Sequence, residues 1–300
     1  MKLIFIFFVP SEDKEVFYWS TWLNSTGQMD RYEGAEFRLP PLEGIWEPYF
    51  RIPFISYFVL FQIAGYCIRT YSWKSYNGFK QYRLRNLTLC IIHSSISGLW
   101  SFLFSITHQQ IMLEETIHWY SPWAAQLPIL SMAYFICDAM DMLRHEISKW
   151  TIELLFHHAA SVFVFASAVL PRKFIPYAYW ALLMEMNSIF LHLRSLMQIS
   201  GYSALKQSLF RIIQLTNIIT FILFRFAVQI WQINWAWINR HRFHIFYSGI
   251  AFVGGTFFLI INAILFVRVL ASDGYLGEFG RKHMAIGRFV SLPFFIKKFN

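Results

Sequence analysis

Residues 134–194 of this 300-residue chain read YFICDAMDMLRHEISKWTIELLFHHAASVFVFASAVLPRKFIPYAYWALLMEMNSIFLHLR. This stretch places ionisable side chains among residues that are otherwise apolar. Among them are Asp138, Asp141, Arg144, His145, Glu153, His157, His158, Glu185, His192 and Arg194. Acids and imidazoles are costly inside a bilayer, so they face protein or water there and by default mark a functional site. The stretch therefore predicts membrane-embedded helices with a polar site between them.

The composition of the whole chain is typical of an integral membrane protein. Apolar residues make up 56% of it, aromatic residues 20% and charged residues only 14%. Seven charge-poor runs are long enough to cross about 30 Å of hydrocarbon. They cover residues 52–69, 87–107, 121–143, 151–170, 174–197, 210–238 and 244–270. Because these runs lack the short, alternating pattern of barrel strands, we predict an all-α polytopic membrane protein with about seven transmembrane helices.

The formal charge of +9 follows the loops and does not indicate a nucleic-acid partner. The basic residues do not form one patch with aromatic side chains between them. The loop after the first run is basic, with Arg69, Lys74, Lys80, Arg83 and Arg85, whereas the loop after the second carries Glu114 and Glu115. Lysine and arginine are enriched on the cytoplasmic side of membrane proteins. We therefore predict an external N-terminus and a cytoplasmic C-terminus. A minority of the basic residues oppose this orientation, because it places them on the outer side: Arg172, Lys173, Arg240 and Arg242.

Three regions are expected along the chain: an external segment (1–51), a transmembrane bundle (52–275) and a basic cytoplasmic tail (276–300). The apolar opening Met1–Val9 is too short to span a membrane and lacks a clear cleavage site, so a signal peptide is only weakly indicated and its retention stays open. The external segment contains the glycosylation sequon Asn24-Ser25-Thr26, and Asn24 is the expected acceptor.

Helix geometry predicts that six polar side chains lie at one level, near the cytoplasmic leaflet. Residues three and four apart share a helix face, and each residue adds about 1.5 Å of depth. Counting from the cytoplasmic ends of four runs brings the six to a similar depth. They are the candidate catalytic residues His93, Asp138, Asp141, His157, His158 and His192.

Glu185 and Arg225 are predicted nearer the middle of the membrane, on consecutive runs. Each would be costly alone, so we expect them to pair or to share a polar network. The other candidate members of that network are Asn187, Asn217, Gln214 and Gln229. Such a pair is either a structural clamp or part of a substrate site, and both alternatives stay open at this stage.

The adjacent histidines His157 and His158 allow several kinds of chemistry. Next to carboxylates they could act as nucleophile and general base, as a proton relay or as metal ligands. Membrane di-iron enzymes need repeated HxxxH or HxxHH boxes, which this chain lacks, so no metal and no other cofactor is expected. An imidazole near a thioester could also serve acyl transfer. Spacing alone does not decide between these roles.

At these residues the chain resembles the TLC-domain family, which includes ceramide synthases and translocation-associated membrane proteins. The similarity covers about residues 80–275. The matching pieces are Ile92-His93-Ser94, Tyr134 to Leu143, the ELLFHH of Glu153 to His158, Leu183 to Ser188, and His192-Leu193-Arg194. Within the family the chain is most similar to the small TLC domain-containing proteins implicated in membrane fluidity.

The resemblance implies a helical bundle around a lipid-accessible cavity. It also implies a role at the plasma membrane in regulating phospholipid acyl composition, by limiting polyunsaturated chains. The HDxxD element of ceramide synthases is not present, which argues against ceramide synthesis. Two alternative functions remain: an acyl-CoA-dependent acyltransferase, and a non-catalytic lipid-binding or transport protein. The endoplasmic reticulum remains as the alternative location. Membrane phospholipids or acyl chains are the expected partners, and the expected substrate-binding residues are Glu185, Asn187, Arg194 and Arg225.

Overall fold

The computed structural model describes residues 32–145 and 149–277, which contain helices and no strand. The helices are α1 (Pro48–Tyr71), α2 (Gly78–Thr107), α3 (Gln109–Glu114), α4 (Pro122–His145), α5 (Lys149–Val169), α6 (Ile175–Leu182), α7 (Met184–Ser200), α8 (Tyr202–Leu205), α9 (Gln207–Thr220), α10 (Val228–Asn239), α11 (Ile245–Gly249) and α12 (Gly255–Ser272). This confirms the all-α prediction. The candidate signal peptide, Asn24 and residues 278–300 of the predicted tail lie outside the described residues.

Five helical stretches are long and apolar enough to cross a membrane. They are Pro48–Tyr71, Gly78–Thr107, Thr151–Val169, Gln207–Arg242 and Ile245–Ser272. The other two predicted runs are also helical, but they do not reach this threshold. One is α4, and the other is divided into α6 and α7 at Leu183. The chain is therefore a polytopic membrane protein, and the count of seven stays a prediction.

α4 lies inside the bundle, where it packs against α1, α2, α5 and α6. Its buried face is rich in small side chains, among them Ala124, Ala125, Ser131 and Ala133. Small residues let neighbouring helix backbones approach closely in a membrane. Because protein and not lipid surrounds it, α4 can carry the buried carboxylate of Asp138 and needs less hydrophobicity than a lipid-facing helix.

α2 and α7 cross with their backbones in close contact at Gly98. A Cβ atom at this position would lie 2.9 Å from the carbonyl carbon of Glu185 and 2.9 Å from the backbone nitrogen of Met186. α2 adds the buried hydroxyl residues Ser94 and Ser101 on either side of the glycine. The crossing therefore depends on the missing side chain of Gly98, and it holds Glu185 directly against α2.

Contacts between distant residues show that α1 and α4 run in the same direction and α5 in the opposite one. At the end of the bundle where α4 leads to α5, called here the α4–α5 end, Arg69 lies 3.7 Å from Asp141. At the opposite end, called the α5–α6 end, Tyr49 donates a hydrogen bond to the carbonyl oxygen of Leu170 at 3.2 Å.

The segment before α1 packs on the α5–α6 end. Its buried Glu36 lies 3.1 Å from the ammonium group of Lys173 and 3.8 Å from the ring of His118, and its carbonyl oxygen accepts the backbone N–H of His244 at 2.8 Å. Burial alone would raise the pKa of Glu36. The hydrogen bonds from its own backbone and from Lys173, with the charges of Lys173 and His118, hold this pKa below its ordinary value.

Two π-helical segments interrupt the last two long helices. Phe221–Ala227 joins α9 to α10, and Ile250–Gly254 joins α11 to α12. π-Helical turns are rare and are frequent at functional sites. Both segments contribute residues to the wall of the cavity described next.

Candidate functional site

A cavity of about 830 Å³ lies between α2, α4, α5, α7, α10 and α12. Its wall includes most of the predicted ionisable site residues: Asp138, His157, His158, Glu185, His192, Arg194 and Arg225. Leu154 and Phe156 of α5 and Phe257 and Ile264 of α12 line the cavity and are exposed. The cavity is therefore accessible between α5 and α12 through an apolar rim formed by these four side chains, next to the ion pair of Glu153 with Arg268.

Asp138 and His158 form a buried pair between α4 and α5. Oδ2 of Asp138 lies 3.4 Å from Nε2 of His158, while Oδ1 accepts a hydrogen bond from Nδ2 of Asn86 at 2.6 Å. A carboxylate placed in this way fixes the orientation of an imidazole ring. The pair and Asn86 together connect three helices on the cavity wall.

Three imidazole rings surround Phe135. The ring centroids of His93, His158 and His157 lie 5.4, 5.1 and 6.4 Å from the centroid of Phe135. His93 is fully buried, stacks on Tyr134 at 3.8 Å and lies 3.2 Å from the hydroxyl of Ser131. His93 is not among the residues that line the cavity, so its contacts are those of a packing residue.

His157 is placed differently from its neighbour in the sequence. It lies on the cavity wall, with its ring edge-to-face against Phe258 at 5.0 Å. Its Nδ1 is buried and has no hydrogen-bond partner within residues 32–145 and 149–277. His192 reaches the same wall from α7. These two rings are therefore nearer to a molecule in the cavity than His93 is.

Glu185 is bound to α2 and does not form the expected ion pair with Arg225. Its Oε2 accepts a hydrogen bond from the hydroxyl of Ser94 at 2.8 Å and lies 3.9 Å from Nδ1 of His93. Over the part of the chain that the structure describes, no ion pair within 4.0 Å joins Glu185 to Arg225. The reason is the close crossing at Gly98, which holds the carboxylate against α2.

Arg225 is bound only to neutral oxygens instead. Nε donates to Oδ1 of Asn187 at 2.7 Å, and Nη2 donates to the hydroxyl of Ser188 at 2.8 Å. Nη1 donates to Oδ1 of Asn262 at 2.8 Å, and the amide of Asn262 in turn donates to Gln229. The alternative expectation, a shared polar network with Asn187 and Gln229, therefore agrees with the structure.

The other two expected substrate-binding residues, Arg194 and Asn187, are also held by internal bonds. Arg194 donates from Nε to both carboxylate oxygens of Asp273, at 2.8 and 2.9 Å, and also contacts Ser272 through Nη2. Gln214 donates to the same carboxylate at 2.7 Å. Asn187 is fully buried and donates to Asn217 of α9 at 3.0 Å. Arg194 and Asn187 thus bind α7 to α9 and to the end of α12.

Asp141 lies outside the cavity, although sequence spacing had placed it beside Asp138. It lies 3.6 Å from Nδ1 of His145 and 3.7 Å from Arg69, at the partly exposed α4–α5 end. Three residues correspond to a rotation of about 60° around a helix, and this turns Asp141 away from the wall. Within the described ranges, no group of three or more His, Cys, Asp or Glu side chains could hold a metal ion.

Sequence reasoning missed three partners of the site. Asn86 binds Asp138, Ser94 binds Glu185 and Ser131 lies beside His93. One signal was available, because Asn86 precedes His93 by seven residues and therefore shares its helix face. The serines are common residues without a distinctive spacing, and their role depends on which helices cross.

Comparison with known proteins places this site in a family. The model of the TLC domain matches residues 83–271, which include all the residues that line the cavity except Phe79, Tyr82 and Ser272. The chain belongs to the TLC-domain family. The Asp138–His158 pair, Glu185 and Arg225 lie within the matched residues.

Several curated relatives are similar to this TLC domain. TLC domain-containing protein 2 of Danio rerio is 34% identical over 194 residues, which cover 64% of this chain and 77% of the relative. TLC domain-containing protein 2 of Homo sapiens is 29% identical over 63% of this chain and 70% of its own length. TLC domain-containing protein 1 of Gallus gallus is 30% identical over 64% of this chain and 74% of its own length. No solved structure matches the chain.

Proposed function

We propose that this protein binds acyl lipids in its cavity and thereby regulates the acyl-chain composition of membrane phospholipids and membrane fluidity, limiting the incorporation of polyunsaturated chains. One observation carries the proposal: the cavity joins a polar interior to an apolar rim between α5 and α12. A lipid needs this combination, because its chain can remain among apolar side chains while its polar group reaches the interior.

The size of the cavity supports this proposal. Pockets that bind small molecules measure roughly 300–1,000 Å³ and are mostly apolar with a few placed polar groups. The volume of about 830 Å³ falls within that range. Ser161 and Val164 of α5 extend the wall beyond the two histidines. The partners proposed are therefore membrane phospholipids or their acyl chains.

A cavity-filling variant tests the proposal. Ser161→Phe places a large side chain in the cavity, whereas Ala159→Phe adds the same ring at an exposed position of α5. The acyl-chain composition of phospholipids is measured by mass spectrometry in cells that express equal amounts of each variant. Ala159→Phe should change this composition as wild-type protein does, and Ser161→Phe should not. A full effect from folded Ser161→Phe protein would show that the cavity is not where the protein acts.

We further propose that the protein lies in the plasma membrane with its N-terminus outside and its α4–α5 end in the cytoplasm. The basic loop between α1 and α2, which includes Lys74 and Lys80, supports this orientation. A tag inserted after Asn77 should be accessible to a cytosolic protease, and a tag at Asn300 should be accessible as well. Protection of either tag would reject this orientation, and fluorescence of the tagged protein at the endoplasmic reticulum would reject the plasma membrane.

Acyl transfer is the second candidate function, and the Asp138–His158 pair with His157 beside it favours it. In this reaction the imidazole of His157 would take the proton of an acceptor hydroxyl while that oxygen attacks the carbonyl carbon of an acyl thioester, such as an acyl-CoA. The new ester bond forms, the carbon–sulfur bond breaks, and the proton passes to the leaving thiolate. The contact with Asp138 would keep the ring of His158 in place beside the reacting ring of His157.

The variant His157→Ala separates the two functions. If the protein transfers acyl groups, this variant should still bind lipid but lose its effect on phospholipid acyl composition. If the protein acts by binding alone, both properties should persist. The comparison uses folded, membrane-inserted protein at matched abundance, so that loss of protein is not read as loss of chemistry.

A further inference from the structure

The guanidinium group of Arg225 is buried in the membrane-spanning bundle without a bonded counter-charge. It is 8% exposed and lies on the cavity wall. Its three hydrogen bonds go to side-chain oxygens of Asn187, Ser188 and Asn262, all of them neutral. An arginine side chain has five N–H donors. Two of these donors therefore have no hydrogen-bond partner in residues 32–145 and 149–277.

Arg194 shows how this fold neutralises another buried arginine on the same wall. It is equally buried, at 4% exposure, but it is bonded to both oxygens of Asp273, whose side chain is fully buried. Its charge is neutralised within the protein. Arg225 is held by amides and a hydroxyl that fix its position, and Glu185 acts on its charge only from beyond ion-pair distance.

The acids on the same wall make their direct contacts with other groups. Glu185 accepts the hydroxyl of Ser94, and it interacts with Arg225 only at a distance and through Ser188. Asp138 contacts Asn86 and His158. A buried cation without a bonded counter-ion is costly, and an anion from outside the chain would recover part of that cost. Arginine binds carboxylate and phosphate groups through pairs of N–H donors, and two donors are what Arg225 retains.

We propose that Arg225 binds the anionic head of a single-chain acyl lipid, a carboxylate or a phosphate monoester, inside the cavity. The chain of this lipid leaves through the apolar rim between α5 and α12. The proposal rests on the proposed function, because it assumes that an acyl lipid enters the cavity, and it adds the charge of the group that is recognised.

Binding to the purified full-length protein in detergent micelles at pH 8 tests the proposal with three probes. Oleate carries a carboxylate, oleoyl lysophosphatidate carries a phosphate monoester, and oleyl alcohol has the chain of oleate without charge. Wild-type protein should bind one or both anionic probes at least about tenfold more tightly than oleyl alcohol. The probe with the larger preference identifies the head group.

Two variants remove the charge of Arg225 in different ways. Arg225→Gln deletes it, and Asn262→Asp gives it a carboxylate partner at the position of the present amide oxygen. Both should abolish the preference for anionic probes and keep the affinity for oleyl alcohol. The second variant replaces a hydrogen bond with an ion pair, so it tests the proposal even if Arg225→Gln fails to fold. Arg211→Gln, at an exposed cation of α9 that does not line the cavity, is the control and should bind like wild type.

Three results would overturn the proposal. Equal wild-type affinity for oleate, lysophosphatidate and oleyl alcohol would overturn it and leave the proposed function intact. A persistent anion preference in Asn262→Asp or in folded Arg225→Gln would also overturn it. If wild-type protein binds none of the three probes, acyl-lipid binding itself is rejected, and the proposed function fails together with this inference.

Discussion

Oδ2 of Asp138 and Nε2 of His158 lie 3.4 Å apart in a buried pair that joins α4 to α5. Asp138→Asn should lower the free energy of unfolding in mixed micelles by about 1–3 kcal/mol, because a buried hydrogen bond to a charged group is weakened. Asp141→Asn, on the same helix, is the matched control. Its ion pairs are partly exposed, so its cost should stay below about 1 kcal/mol. Equal costs for the two variants would contradict a buried Asp138–His158 pair.

The ion pair of Arg194 with Asp273 should be essential for stability. Arg194→Gln leaves a fully buried carboxylate without its partner, and we expect a loss of about 3–5 kcal/mol. Adding Asp273→Asn to this variant should recover much of the loss, since no buried charge remains. Denaturant unfolding of the single and double variants measures this coupling. A double variant no more stable than Arg194→Gln would show that the two side chains act independently.

Gly98→Ala should disturb the crossing of α2 and α7. The added methyl group would lie 2.9 Å from the backbone at Glu185, so the helices must separate, and we expect a cost of about 1–3 kcal/mol. Gly249→Ala is the control, because no atom lies within 4 Å of its added methyl group. That substitution should be neutral or stabilise the protein by up to about 1 kcal/mol. Similar unfolding curves for the two variants would argue against a tight crossing.

The ion pair of Glu36 with Lys173 should make stability depend on pH. Because the pKa of Glu36 is lowered in the folded state, its contribution is complete above the unfolded-state pKa of about 4.3 and is lost as the pH falls through the lower folded-state value. The difference in unfolding free energy between wild type and Glu36→Gln should therefore be constant near neutral pH and shrink below about pH 4. A difference that does not change down to pH 3 would show that Glu36 keeps an ordinary pKa.

Much of the fold could be predicted from hydrophobic runs, because each long apolar run is helical with similar outer bounds, whether as one helix or as consecutive helical segments. The break at Leu183 could not, since neither proline nor glycine marks it and its backbone is still helical. The π-helical segment around Arg225 also has no local signal in the sequence. Both features depend on which helices pack together, and hydropathy does not report this.

The candidate site was predicted in part. The depth of each residue along its helix correctly predicted that His157, His158 and Asp138 lie on one wall. Depth does not say which way a side chain points around the helix axis, so the same reasoning also included Asp141. Equal depth alone left two alternatives for Glu185 and Arg225, a direct pair or a shared polar network. Arg225 has the network and, among the described residues, no direct ion pair with Glu185, because the missing side chain at Gly98 lets α2 hold Glu185. Gly98 and Glu185 lie far apart in the sequence, so no local pattern contains this relationship.

The π-helical segment Phe221–Ala227 takes up about one more residue than a regular α-helix would need for the same rotation. Removing one residue there would let α9 and α10 run as a single regular helix, and α10 would keep its orientation, with Gln229 and Gln232 still on the cavity wall. Removing one residue from α9 would instead turn α10 by about 100° and take both glutamines off the wall. Single-residue deletions in the π-helical segment should therefore be less damaging than single-residue deletions within α9.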